Sequence, residues 1–207
     1  MGKIIAIVNQ KGGVGKTTSA VNIASALAIY EKKTLLVDFD PQGNSSSGIG
    51  VEGSSPNIYE ALIGQAKMAE VIKKSPILEK LDIVPSNVDL SGAEIELVKE
   101  YSREFKLKEA LDSIKDDYDY IIVDCPPSLG LLTVNTLTAC TDVLIPIQCE
   151  YYALEGVSQL LNTIRLIKKG LNPDLNIMGI LLTMYDRRLN LSLQVAKEVR
   201  RYFQEQA

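Results

Sequence analysis

Gln10-Lys11-Gly12-Gly13-Val14-Gly15-Lys16-Thr17-Thr18 sits between a continuous apolar run at 4–8 and a stretch that carries Val21, Ala24, Leu27 and Ala28 at helical spacing. Strand, glycine loop and helix in that order are the context a phosphate-binding loop requires. Gly15, Lys16 and Thr17 meet the GxxxxGK[ST] pattern, with Gln10 where the first glycine would stand. Glycines let the backbone curl with its N–H groups pointing inward, and the following helix adds its positive end. The nucleotide-binding stretch is therefore Lys11, Gly12, Gly13, Val14, Gly15, Lys16, Thr17 and Thr18. Lys16 is placed to reach terminal phosphates, and the Thr17 hydroxyl to ligate magnesium.

Five further apolar runs, at 34–37, 81–84, 120–123, 143–147 and 177–182, are continuous rather than alternating. Parallel strands covered by helices on both faces have this texture. Helical patterns fall between them, at 94–111 with a break near Ser102, and at 131–139, 153–168 and 192–204; Gly170 and Pro173 terminate the 153–168 helix. The alternation predicts an α/β, doubly wound, mostly parallel sheet with helices on both faces. Residues 43–56, rich in Gly and Ser, read as a mobile loop. A single domain is expected over 1–207, open to truncation at its C-terminal end, because Ala207 falls in or just after an amphipathic helix without a cap.

Composition narrows the chemistry. Apolar residues make up 46% and charged residues 23% of 207 residues, ordinary values for a globular chain. No run approaches the roughly 18 apolar residues of a membrane span, and the N-terminus lacks the features of a signal peptide. With no histidine, Ser-His and Cys-His mechanisms are excluded. Three widely spaced cysteines make neither a disulfide framework nor a zinc site, and are expected in or near the core. At a net charge of −4, any DNA contact must use a local patch.

Carboxylates follow two of the strands. Asp38-Phe39-Asp40-Pro41-Gln42 follows 34–37, and Asp124-Cys125-Pro126-Pro127-Ser128 follows 120–123. Four apolar residues and then Asp124 match a Walker B segment, whose carboxylate holds magnesium directly or through water. Asp38 is expected nearer the ion and Lys16 than Asp40 is. The competing reading of Asp40 is a turn residue before Pro41, and on its residues alone Lys11 reads as a solvated loop lysine.

KGGVGKT, with Lys11 ahead of the glycines, is similar to the signature of the deviant Walker A (MinD/ParA) class of P-loop nucleotide hydrolases. The blocks DFDPQGN at 38–44, DCPPSLG at 124–130, PIQCEYYALEG at 146–156 and LLTMYDRRLNLS at 181–192 resemble the ParA/Soj type of chromosome and plasmid partition ATPase. The resemblance runs almost from end to end. It implies a weak ATPase with ATP and Mg2+ as cofactors, Lys11, Lys16 and Asp40 as catalytic residues, and Thr17, Asp40 and Asp124 around the metal. In the family the lysine matching Lys11 crosses to the partner's nucleotide, and Asp40 positions the attacking water.

The family implies further an ATP-dependent homodimer, non-specific double-stranded DNA and a ParB-type centromere-binding protein as partners, no membrane, and a cytoplasmic, nucleoid-associated location. Thr183-Met184-Tyr185-Asp186 stands where guanine-specific hydrolases carry [NT]KxD; Met184 replaces the lysine, which argues against GTP and puts Met184 among the nucleotide-binding residues. Arg187 and Arg188 are the DNA-binding candidates, Arg188 matching a family arginine. Lys197, Arg200 and Arg201 add one basic helix face, equally readable as an ordinary solvated face. Tyr151 and Tyr152 are expected beside the active site or a dimer interface.

A membrane-associated division-site ATPase of the same superfamily is the alternative; it needs a basic amphipathic anchor, which is not evident. An iron–sulfur electron donor would need two suitably placed cysteines, and a carboxylate-phosphorylating ligase a substrate-binding extension; neither is found.

Overall fold

The computed structural model describes residues 2–151, 153 and 157–204. Seven strands form one sheet: β1 (Lys3–Ile7), β2 (Thr34–Asp38), β3 (Lys73–Lys74), β4 (Leu81–Val84), β5 (Tyr120–Asp124), β6 (Asp142–Gln148) and β7 (Asn176–Thr183). Their order across the sheet is β3-β4-β2-β5-β1-β6-β7. All neighbouring pairs are parallel except β3 with β4. The chain is thus an α/β protein with a doubly wound, mostly parallel sheet. The six strands expected from apolar runs are present. β3 lacks the apolar signal, and its two lysines suit an edge that must not pair further.

Alternate residues of the strands feed two cores. Ile5, Ile7, Leu36, Ile83 and Ile122 pack with Ala20, Ala24 and Ala28 of α1 (Lys16–Ile29). Ile4, Ala6, Val8, Leu35, Val37, Ile121 and Val123 point into the larger opposite core. Burial on both faces explains why β1, β2, β4, β5 and β6 read as continuous apolar runs, whereas the apolar run of β7, at the end of the sheet, is only partly buried. The alanine row of α1 sits four residues apart on one face, so the helix approaches the sheet closely; Val21 and Leu27 are only partly buried beside it.

The remaining helices are α2 (Asn44–Ile49), α3 (Ile58–Leu62), α4 (Met68–Val71), α5 (Leu90–Glu96), α6 (Lys106–Asp112), α7 (Leu131–Ala139), α8 (Val157–Gly170) and α9 (Asn190–Gln204). The helical stretch expected over 94–111 with a break near Ser102 is two short helices, α5 and α6, separated by 3-10 turns; Ser102, at φ 55, takes the left-handed backbone that an α-helix cannot contain, which accounts for the break. One expectation is corrected here. The mobile loop expected at 43–56 contains α2, whose Ser45 and Ser46 are buried. Glycine and serine there mark a tight approach, not disorder. The helix expected from 153 begins at Val157 among the described residues, with Ala153 in a turn. Tyr152 lies outside the described residues. Cys125, Cys140 and Cys149 are all buried and unbridged.

Candidate functional site

Parallel strands present their C-terminal ends on one side, and ligands of open α/β sheets bind there, where the strand order reverses. β1 lies inside the sheet between β5 and β6, while the chain moves from it to β2 beyond β5. In register, Ile7 and Asp38 both pair with Asp124. The glycine loop, the loop carrying Asp40 and the strand-ending Asp124 therefore leave the sheet at one level. A bond from Phe39 N–H to the Asp124 carbonyl, 2.9 Å, extends that alignment by one residue.

The glycine loop is anchored on both sides. Asn9, 2% exposed, donates its Nδ2 to the Pro146 carbonyl (2.7 Å) and accepts the Lys11 N–H on Oδ1 (3.0 Å). The Thr183 hydroxyl, at the end of β7, donates to the Val14 carbonyl at 2.8 Å. Gly15 has φ 84, a left-handed conformation that turns the chain into α1. α1 starts with no side-chain cap and no acidic residue in its first turn, so its N-terminal N–H groups remain available to an anion. Gly12 and Gly13 are exposed and open, and Val14 is buried beneath them.

Lys16 is 7% exposed, and its Nζ donates to the Lys11 carbonyl at 2.9 Å, inside the curl of the loop. Burial lowers its pKa, against the attraction of Asp124 and Asp40. Asp124 is fully buried. Burial first, and then repulsion from Asp38 and Asp40, pushes its pKa up to about 7, against hydrogen bonds from the hydroxyls of Ser45 and Thr17. Asp38 is also raised, chiefly by burial. Asp40 is 7% exposed, and its Oδ1 accepts the Gln42 N–H at 2.9 Å.

Two buried carboxylates, Asp40 and Asp124, thus face the one buried ammonium of Lys16 among the described residues, an imbalance that favours an added cation. Oδ1 of Asp124 is buried without a hydrogen-bond partner, and the Thr17 hydroxyl meets the same carboxylate. One carboxylate and one hydroxyl suit magnesium, which keeps several waters and completes its shell with phosphate oxygens. Among the described residues no three acidic or cysteine side chains converge as a self-contained metal cage.

The sequence-derived residues divide into two sets. Lys16, Thr17, Asp40 and Asp124 come together. Asp38 does not turn toward Lys16 as expected: its Oδ2 accepts from both N and Oγ of Ser46 (2.7 Å each), and its Oδ1 accepts from Asp40 N–H (3.3 Å). Lys11 points along the surface, its Nζ 3.8 Å from Oε2 of Glu150, whose Oε1 accepts from Gln148 Nε2. Thr18 is exposed. Met184 follows Thr183 with φ 51 and is 62% exposed. Arg187 is exposed, and the Arg188 guanidinium grips Asp186 through Nε and Nη2 (2.6–3.1 Å). Lys197, Arg200 and Arg201 are exposed on α9. Tyr151 is exposed as well.

Sequence reasoning missed Asn9, Ser45, Ser46, Glu150 and Thr183. Only Asn9 had a signal, an amide immediately before the loop.

A family model described as an AAA domain matches residues 2–177. The sporulation initiation inhibitor protein Soj of Bacillus subtilis is 58% identical over 207 residues, covering 99% of this chain and 81% of that protein. The chromosome partitioning protein ParA of Myxococcus xanthus is 57% identical over 208 residues, covering 100% and 73%. Among solved structures, cobyrinic acid a,c-diamide synthase of Mycobacterium smegmatis with bound ADP and magnesium superposes with a TM-score of 0.92 at 42% identity, covering 97% of this chain and 82% of that one.

Proposed function

The chain belongs to the ParA/Soj family of chromosome-partitioning ATPases, and from that premise we propose that it is an ATP-dependent switch for DNA partition. One observation carries the reading: the buried ammonium of Lys16 lies inside an uncapped, glycine-lined helix start, opposite the unpartnered Oδ1 of Asp124. Loop N–H groups would hold the β- and γ-phosphates, with Lys16 bridging them. Thr17 and Asp124 would hold magnesium, which supplies charge neutralisation on the phosphate oxygens. Asp40, fixed by the Gln42 N–H, would orient the attacking water. Phosphoryl transfer needs positioning and electrostatics more than a strong base, so an aspartate suffices without histidine and turnover is slow.

Lys11 is held by Glu150 within its own chain. In an ATP-bound homodimer of twofold symmetry it would exchange that carboxylate for the partner's nucleotide. Arg187, Arg188 and the basic face of α9 would bind double-stranded DNA through phosphates, without reading sequence. A ParB-type centromere-binding protein would stimulate hydrolysis and release the chain from DNA. The location is the nucleoid-bearing cytoplasm. Among the described residues no helix is long and apolar enough to cross a membrane.

The name of the Mycobacterium structure belongs to a synthase, but the higher identities, at nearly full coverage of this chain, belong to partition proteins, and they support the switch. The test is binding to random-sequence DNA with ATP, with ADP and without nucleotide, repeated for Lys16→Ala and Arg188→Ala. Binding confined to ATP and lost in both variants is expected. Equal binding in all three nucleotide conditions would refute the switch.

A further inference from the structure

Two adjacent serines at the start of α2 divide the two strand-ending carboxylates between them. Ser45 Oγ donates to Asp124 Oδ2 at 2.7 Å, and Ser46 donates through both N and Oγ to Asp38 Oδ2. Neither serine is accessible; their exposures are 0% and 2%. Ser46 Oγ also accepts the Ser86 N–H at 3.0 Å, which ties α2 to the loop after β4. The entry to α2 is equally tight. Gly43 has φ 62, and a Cβ there would stand 2.9 Å from the Ser86 carbonyl oxygen, inside contact distance. The helix is therefore held on three sides, and the Ser45 hydroxyl has a fixed position relative to β5.

That fixed position bears on the ion site. Asp124 has two oxygens: Oδ2 accepts from Ser45, and Oδ1, on the carboxylate that the Thr17 hydroxyl also meets, is buried without a geometrically formed hydrogen bond among the described residues. The geometry points to Ser45 as a positioning residue for Asp124: by occupying Oδ2 it sets the plane of the carboxylate and leaves Oδ1 as the oxygen offered to the cation. This assignment rests on the nucleotide-binding reading above. Side chains that orient a ligating carboxylate commonly change metal affinity by 10–100-fold when removed. The Ser45 hydroxyl bonds to Asp124, whereas the glycine loop is anchored by Asn9 and Thr183, so removing the hydroxyl leaves the anchors of the loop in place.

The test is equilibrium binding of a fluorescent ADP derivative to the 207-residue chain, in excess Mg2+ and in EDTA, for the unmodified chain and Ser45→Ala. The unmodified chain is expected to gain affinity with Mg2+. Ser45→Ala should lose about tenfold of that gain while its affinity in EDTA stays the same. A full Mg2+-dependent gain in Ser45→Ala overturns the assignment, and so does an equal loss in EDTA, which marks a general structural role. Absence of nucleotide binding by the unmodified chain would overturn the nucleotide reading itself, a result distinct from either.

Discussion

The Thr183 hydroxyl donates to the Val14 carbonyl at 2.8 Å, so the end of β7 holds the phosphate loop from the side, 169 residues along the chain. Thr183 Cγ2 lies 3.6 Å from where a Cβ on Gly15 would be, so the threonine packs against the loop as well as bonding to it. Thr183→Val keeps the packing and removes the bond. A hydrogen bond of this kind contributes about 1 kcal/mol. Nucleotide affinity should fall about fivefold by calorimetry, with the fold unchanged by circular dichroism. An unchanged affinity would show that β7 does not brace the loop.

The buried acids predict the pH response of the free chain. Burial pushes the pKa of Asp124 in the folded chain up to about 7, above the roughly 3.9 of an ordinary aspartate. Between those values the unfolded chain has released the proton and the folded chain retains it. The folded state binds more protons there, so stability falls as pH rises through the window, and the loss is complete above about 7. Asp38 acts in the same direction. In EDTA without nucleotide, the thermal midpoint should drop from about pH 5 to about pH 8. Asp124→Asn should flatten the slope and be the more stable protein at the upper end. Parallel profiles for the two proteins would contradict the buried-acid account.

These dependences mark how far the sequence could be read. β1, β2, β4, β5 and β6 were legible because burial on both faces makes them continuous apolar runs, and the loop at 10–18 because its glycines have one common use. Ser45 and Ser46 were not legible. A Gly-Ser segment looks the same whether it is free or pinned, and only the fold brings Asp38 and Asp124 to its hydroxyls. Thr183 reads only as the start of a base-specificity segment; its bond to the Val14 carbonyl comes from the fold alone. The 94–111 periodicity was real, since Leu97, Leu107 and Leu111 are buried, but Ser102 reverses the backbone between them.

Arg188 offers a test of the DNA surface. It is exposed and paired with Asp186. A phosphate contact by this side chain should follow counterion release. Arg188→Ala should weaken ATP-dependent DNA binding uniformly across sequences and reduce the slope of log K against log salt by about 1. A preserved slope would remove Arg188 from the interface.

Lys11 separates dimer formation from nucleotide binding. Its ammonium lies beside Glu150, whereas Lys16 fills the loop. Exposed ion pairs contribute little. Lys11→Ala should therefore bind MgATP within about threefold of the unmodified chain, yet remain a monomer with ATP in sedimentation velocity. An ATP-dependent dimer formed by Lys11→Ala would exclude the cross-subunit role.

In the nucleotide-binding reading, the loop at 11–17 closes on a triphosphate while Asp124 faces its ion. Calorimetric titration of the chain with a non-hydrolysable ATP analogue, with Mg2+ and with EDTA, probes both features at once, with Lys16→Ala as the control. Binding that strengthens with Mg2+ and disappears in Lys16→Ala is expected. Binding indifferent to Mg2+, or undiminished without the Lys16 ammonium, would contradict that reading.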